Sequence, residues 1–140
     1  MENFKIDLFA GEYNKDFPEY SHLSEKDCFH IIERLSKKFD MDFMSDVANE
    51  LSQKQQFLEN FNAKDEFQLI KILKKLNINP SLKIYINWYQ FRDIDLIKIS
   101  DLDEYFYDIW FPSSDDIDLF DESFSWIISI RHDGVVSFLI

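Results

Sequence analysis

The first 80 residues carry apolar positions at helical spacing. Ser24 resembles an N-cap with Asp27 three residues later, and the apolar residues that follow share one face: Cys28, Ile31, Ile32, Leu35 and Phe39. A second helix is predicted over 42–61, with buried positions at Phe43, Val47, Leu51 and Leu58. Asn62 would cap a third helix, whose apolar face contains Phe67, Leu69, Ile70, Ile72, Leu73 and Leu76.

Alternating apolar and polar residues predict strands mainly after residue 80. One short strand is predicted at the start of the chain, from the alternation of Phe4, Ile6 and Leu8. Later, 82–89 alternates strictly, with one face formed by Leu82, Ile84, Ile86 and Trp88. The segment 94–99 predicts another strand. A short helix capped by Ser100 follows, ends before Pro112, and buries Leu102, Tyr105, Phe106 and Ile109.

From Asp116 onward the pattern predicts an antiparallel meander. Ile117 and Leu119 would point inward, so Asp116 and Asp118 would point outward. The next strand would place four side chains on one face: Phe124, Trp126, Ile128 and Ile130. Asp133-Gly134 predicts a two-residue type I′ hairpin before a last strand over 135–140, with Ile130 opposite Ser137 and Ile128 opposite Leu139.

Helices first and strands last predict an α+β fold, with N-terminal helices packed on a C-terminal antiparallel sheet. One domain is expected over residues 1–140, in which 1–80 is mainly helical and 81–140 mainly strand. An apolar fraction of 46% and an aromatic fraction of 17% are typical of a folded chain. Two glycines are too few for a glycine-rich phosphate loop, so nucleotide binding is disfavoured.

The expected compartment is the cytoplasm. Cys28, the only cysteine, cannot form a disulfide within the chain and fits a reducing environment. The first residues lack the apolar core of a signal peptide, and no apolar run reaches the roughly 20 residues of a membrane span.

Net charge restricts the partners. A charge of −12 disfavours direct contact with nucleic acid or an anionic membrane, so a charged partner should be basic. Residues 1–80 carry 15 acids and 11 bases, whereas residues 81–140 carry 12 acids and 4 bases. Nine acids and no base lie between Asp101 and Glu122: Asp101, Asp103, Glu104, Asp108, Asp115, Asp116, Asp118, Asp121 and Glu122.

Catalysis and metal binding are weaker interpretations of these acids. The spacing of Asp116, Asp118 and Asp121 lacks the glycine and distal glutamate of a calcium-binding hand. A catalytic carboxylate pair would need a basic neighbour to hold a polar substrate, and none is close in sequence. Cys28 and His30 point in different directions on a helix, and His22 and His132 lack zinc-ligand spacing. No catalytic residue, metal ligand or cofactor is therefore assigned.

The favoured interpretation is a surface for a basic protein, and a merely solvated acidic face is the plain alternative. Exposed carboxylates speed the capture of a basic partner, and aromatic side chains supply anchors. The predicted contact residues are the acids Asp101, Glu104, Asp108, Asp115, Asp116, Asp118, Asp121 and Glu122 and the aromatics Tyr107 and Trp110.

The segment SSDDIDLFDESFSWIISIRHDG, residues 113–134, resembles a pattern in small bacterial immunity proteins. These proteins protect against polymorphic or contact-dependent growth-inhibition toxins. The matching residues are Asp115, Asp116, Phe120, Asp121, Ser123, Trp126, His132, Asp133 and Gly134. The resemblance implies a cytoplasmic, non-enzymatic protein that binds and neutralises a cognate toxin domain, with a nuclease as the expected toxin. Two alternatives remain open: a nucleic-acid mimic that inhibits a host DNA-binding protein, and a metal-dependent enzyme.

Overall fold

A seven-stranded antiparallel sheet forms the centre of the protein, which has an α+β fold as predicted. The structure is a computed structural model and describes residues 1–42 and 46–140. The helices are α1 (Asn3–Tyr13), α2 (Glu25–Phe39), α3 (Val47–Lys54), α4 (Leu69–Lys75), α5 (Ile99–Glu104) and α6 (Phe106–Ile109). The strands are β1 (Tyr20–His22), β2 (Gln56–Asn62), β3 (Lys83–Tyr89), β4 (Asp93–Lys98), β5 (Ile117–Phe120), β6 (Ile127–Ile130) and β7 (Val135–Leu139).

Both halves of the chain contribute strands to this sheet. The strand order is β1-β4-β3-β5-β6-β7-β2, so both edge strands come from the half that the sequence predicted to be mainly helical. The meander β5-β6-β7 and the pairing of β3 with β4 confirm the strand predictions for residues 81–140. No helix within the described residues has the length and apolar character needed to cross a membrane.

Side chains cover both faces of the sheet. One apolar cluster joins residues of α4, α5 and α6 to one face of β3, β5 and β6. A second cluster joins α2 and α3 to the opposite face. Because both faces are covered, every residue of β5 and β6 is buried, and neither strand has the solvated face that the alternating pattern predicted.

The structure confirms α2 and corrects the helix predicted over 42–61. The Ser24 hydroxyl accepts a hydrogen bond from the Asp27 N–H at 3.1 Å, as expected of an N-cap. Helix α3 covers only Val47–Lys54, and the chain then becomes extended as edge strand β2, where Leu58 is buried. Asn62 ends this strand and does not cap a helix, whereas the predicted position of Phe43 lies outside the described residues.

The start of the chain is helical, and the predicted strand there is wrong. In α1 the buried side chains are Lys5 and Phe9, four residues apart, whereas Phe4 and Leu8 lie on an exposed side. Alternation over three positions fits a strand, but it also fits a helix that carries apolar residues on two sides. In the folded protein, the residues four positions apart are the ones that pack inward, so the segment is a helix.

Three details of the C-terminal half differ from the predictions. Leu82 is exposed although Ile84 and Ile86 are buried. The helix after β4 begins at Ile99, with Lys98 and not Ser100 at its cap position, and it is interrupted at Tyr105. Phe124 has a φ of 52° and packs in the α2 cluster, so it does not share a face with Trp126.

The β6–β7 hairpin has a different turn and register. Ile130 lies opposite Val136 and Ile128 opposite Phe138, one residue away from the predicted pairs. In the loop, Gly134 alone has a positive φ, at 88°, whereas a type I′ turn requires two such residues. The Gly134 N–H donates to the Arg131 carbonyl at 2.7 Å and the Arg131 N–H donates to the Val135 carbonyl at 3.0 Å, so the loop contains residues 132–134, one residue more than predicted.

Candidate functional site

Four of the ten predicted contact residues are buried. Asp115, Asp118, Asp121 and Trp110 are between 0% and 8% exposed, so the expectation that they form an outward-facing edge is wrong. A carboxylate leaves water only when other groups pair with it, and the structure supplies those groups from distant parts of the chain. The other six, Asp101, Glu104, Asp108, Asp116, Glu122 and Tyr107, are exposed or partly exposed.

Asp115 is neutralised by Lys5, which comes from the other end of the chain. The Lys5 Nζ atom lies 2.5 Å from the Asp115 carboxylate and donates to the Ile109 carbonyl at 2.8 Å. It also lies 4.3 Å from the ring centroid of Trp88 and 5.0 Å from that of Phe111. A basic neighbour that is absent from the local sequence is therefore present in the fold, where it fastens α1 to the chain before β5.

Asp118 belongs to a polar row that crosses the centre of the sheet beneath α2 and α3. Strand register places Asn87, Asp118, Ser129 and Ser137 side by side on β3, β5, β6 and β7. Asp118 accepts hydrogen bonds from Asn87 at 2.8 Å and Ser129 at 2.5 Å. Gln55, which follows α3, bonds both serines and thereby ties that helix to the sheet. Because these hydrogen bonds satisfy its polar groups, the row stabilises the fold.

Asp121 and Trp110 hold backbone in place. The Asp121 carboxylate accepts the N–H groups of Ser81 and Ser123, each at 2.9 Å, and also the Ser123 hydroxyl. The Trp110 indole N–H donates to the Asp115 carbonyl at 2.9 Å, and its ring stacks on Phe106. These contacts stabilise the two connections that enter and leave β5.

Asp116 is an exposed acid between the buried Asp115 and Asp118, and its partner is His132. Its carboxylate accepts the His132 backbone N–H at 2.7 Å and lies 2.9 Å from His132 Nδ1. Desolvation by itself would raise the pKa of Asp116, but the two His132 hydrogen bonds and the charge of Arg131 lower that pKa below its ordinary value. The carboxylate therefore stays charged at neutral pH.

On α5 and α6, surface acids adjoin aromatic rings. The Tyr13 hydroxyl donates to the Asp108 carboxylate at 2.8 Å, and this bond, together with desolvation and the nearby negative charges, raises the pKa of Tyr13 to about 12. Lys15 donates to the Tyr105 hydroxyl at 2.5 Å and offsets part of the charge of Asp101 and Glu104. Sequence reasoning predicted the acids here but not the bases and rings that come from the N-terminal segment.

Two concavities flank α1, and we name them for their lining. The His22 cavity, about 630 Å³, is lined by Met1, Glu2, Tyr20, His22, Trp88, Tyr89, Asp93, Ser114, Asp115 and Asp116. The α1–α6 groove, about 650 Å³, is lined by Phe4, Lys5, Asp7, Leu8, Phe9, Gly11, Glu12, Tyr107, Asp108 and Phe111. The buried pair of Lys5 and Asp115 contributes one residue to each. Most residues that line the α1–α6 groove come from α1, a segment for which the sequence predicted a strand and no contact residue.

The His22 cavity borders a buried carboxylate, Asp95. This residue is 0% exposed and bonds the amino group of Met1, the Trp88 indole N–H at 2.9 Å and His22 Nδ1 at 2.8 Å. The pairing orients the His22 imidazole, most of which faces solvent. An acid between Ile94 and Leu96 in a strand was the sequence signal for such a buried partner.

Every residue of the immunity-like pattern has a place in the fold. Phe120 and Trp126 are buried in the two clusters, although the Trp126 indole N–H has no hydrogen-bond partner within the described residues. Asp133 accepts the Val135 N–H at 3.0 Å, and an added Cβ at Gly134 would lie 1.9 Å from Asn62 Oδ1. The residues that match the pattern therefore stabilise the sheet and its turns.

Comparison with family models, curated proteins and solved structures gave no significant match for this chain. Within residues 1–42 and 46–140, no group of three or more His, Cys, Asp or Glu side chains is placed to hold a metal ion. Among the described residues, the features that could bind a partner are the exposed acids, the exposed aromatics and the two concavities.

Proposed function

We propose that this chain is an immunity protein that binds and neutralises a basic toxin domain, with a nuclease as the expected activity, in the cytoplasm of the cell that makes it. The proposal needs no catalytic residue or cofactor, because inhibition follows from covering the toxin. The resemblance of residues 113–134 and the net charge of −12 support it.

One observation carries the proposal: carboxylates remain at the surface after the buried ones are set aside. Glu104 is exposed and Asp101 and Asp108 are partly exposed on α5 and α6 beside Tyr107, whereas the exposed Glu122 lies elsewhere, beside Lys83 and Tyr85. Surface charge of one sign draws an oppositely charged protein into encounter, and adjacent aromatic rings supply contact area that excludes water. A nuclease is a suitable target because the surface that grips phosphates is basic.

The test is the association rate with the protein encoded immediately upstream, measured by stopped flow across a salt series. Glu104→Lys should slow association about threefold at low salt, and the difference should shrink as salt rises. Glu33→Lys is the matched control, since it makes the same charge change on α2, against the opposite face of the sheet. The control should differ from the unchanged protein by less than about twofold.

Two results would contradict the proposal. Absence of binding to the upstream protein would remove the immunity function. Competition with DNA for several unrelated DNA-binding proteins would instead indicate a nucleic-acid mimic. Equal slowing by Glu104→Lys and Glu33→Lys would leave binding intact but would show that the α5–α6 acids have no special role.

A further inference from the structure

The α1–α6 groove has an exposed apolar stripe on one wall. Phe4, Leu8 and Gly11 recur at the spacing i, i+4, i+7, so they share one side of α1. Phe4 is 46% exposed and Leu8 is 58% exposed, whereas Lys5 and Phe9 on the inward side are buried. A helix that is anchored by one face and carries a second apolar face is suited to contact another molecule.

The other wall consists of aromatic rings held in fixed positions. The Tyr107 hydroxyl donates to the Ala63 carbonyl at 2.7 Å, which fixes a ring that is 46% exposed. Phe111 meets Phe4 edge to face, with ring centroids 5.7 Å apart, and lies over the Lys5 ammonium. Rings held in this way lose little conformational freedom when a partner binds, so they are efficient anchors.

Carboxylates border the groove. Asp7, Glu12 and Asp108 are among its lining residues, and the hydrogen bond from Tyr13 positions Asp108. The base in the lining, Lys5, is buried and already paired with Asp115. Three acids around an apolar floor complement a segment in which Lys or Arg residues flank an apolar side chain.

Gly11 supplies an independent observation. It lies within α1 without a positive φ, so its backbone does not require glycine, and glycine is a poor helix former. A Cβ added at Gly11 would meet no atom within 4 Å, so packing inside the protein does not require glycine either. A glycine that neither conformation nor packing explains, on the wall of a groove, is expected where another backbone approaches closely.

We infer that the α1–α6 groove is the docking site for a basic segment of the partner protein, which inserts an apolar side chain between Leu8 and Tyr107 and runs against Gly11. The inference rests on the proposed function and names the surface that performs it. A second copy of this chain is a poor occupant because both copies carry a charge of −12, and an anionic membrane is a poor occupant because of the acidic border.

Three substitutions in α1 distinguish an effect on docking from an effect on folding. Gly11→Leu fills the groove, whereas Ala10→Leu adds nearly the same bulk, one methylene less, at an exposed neighbour that does not line it. Gly11→Ala should raise the midpoint of thermal unfolding by about 2–4 °C, since alanine favours the helix and meets no clash. The same substitution should weaken docking, a combination that a purely structural glycine would not produce.

The probes are two synthetic peptides of equal length and equal positive charge, one with Leu and Phe four residues apart and one with Ser at both places. We expect the apolar basic peptide to shift the amide NMR signals of Leu8, Gly11 and Tyr107. Gly11→Leu should weaken its binding by about tenfold or more, and Ala10→Leu by less than about twofold. Equal binding of both peptides, or equal effects of both substitutions, would overturn the inference.

Other occupants give distinct results that would also overturn it. Concentration-dependent dimerisation in sedimentation, abolished by Gly11→Leu, would assign the groove to a second copy. Binding to phosphatidylserine vesicles, abolished by the same change, would assign it to a membrane.

The upstream protein separates the two proposals. If it binds Gly11→Leu as tightly as the unchanged chain, the groove inference fails and the immunity function stands. If it does not bind at all but the apolar peptide docks in the groove, the immunity function fails and the groove stands.

Discussion

Two regions of this protein are both rich in acids, but they differ in how many of those acids reach the surface. In 115–122, five acids follow one another closely in sequence, but three of them are buried among donors from α1, from neighbouring strands and from loops. At the α1–α6 groove, Asp7, Glu12 and Asp108 are scattered along the sequence and meet around exposed aromatic residues. Acids clustered in sequence are therefore not the same as acids clustered on the surface.

The difference follows from the cost of burying charge. A carboxylate inside a protein needs a counter-charge or several hydrogen bonds, and the central strands of a sheet covered on both faces offer many donors. A carboxylate at the edge of a groove keeps its water and needs no partner. Substitutions in the first region should therefore change stability, whereas substitutions in the second should change binding.

The largest expected effect is at Lys5. Lys5→Ala leaves the Asp115 carboxylate in a buried site without its counter-charge, and we expect the free energy of unfolding to fall by about 3–5 kcal/mol in urea denaturation. Lys15→Ala is the matched control, because Lys15 also contacts aromatic rings but is exposed. The control should cost less than about 1 kcal/mol. Similar losses for both lysines would show that the buried pair is not the stabilising element.

A smaller effect is expected at Asp118. Asp118→Ala removes the acceptor shared by Asn87 and Ser129, and leaving those donors unpaired should cost about 2–3 kcal/mol in urea denaturation. Asp118→Asn keeps one acceptor oxygen and should lose less. Asp116→Ala, two residues away at the surface, should cost under about 1 kcal/mol. If Asp116→Ala were the more damaging change, the contrast between buried and exposed acids would be wrong.

The smallest effect concerns pH and Asp116. Because the pKa of Asp116 is lower in the folded protein than in the unfolded chain, its contribution is complete above the unfolded pKa, near 3.8, and is lost as pH falls through the folded value. Stability of the unchanged protein should therefore fall slightly more between pH 5 and pH 2 than that of Asp116→Asn. A carboxyl NMR titration should place the midpoint of Asp116 below 3.8, and His132→Ala should raise it. A midpoint unmoved by His132→Ala would exclude that side chain as the cause.

Local pattern was sufficient for some elements and misleading for others. Helix α2 follows from its helical periodicity, and Ser24 marks its start correctly. Strands β3 to β7 follow from shorter apolar runs between turns, although β5 and β6 do not alternate in burial. The error over 42–61 has a physical cause: residues 56–62 pair with β7, and such pairing overrides helix propensity. The hairpin register also depends on a residue outside the hairpin, because Gly134 packs against Asn62 of that edge strand.

Some features of the candidate site also follow from the sequence, and others depend on the tertiary structure. The sequence by itself determined the excess of acids, the supply of aromatic residues and the α+β order of elements, since these depend on composition and short-range spacing. Only the tertiary structure decided which carboxylates reach water, because their partners lie far along the chain: Lys5 for Asp115 and Asn87 for Asp118. It also decided that Leu8 and Gly11 face Tyr107 across a groove, since no local pattern encodes how α1 packs beside α6.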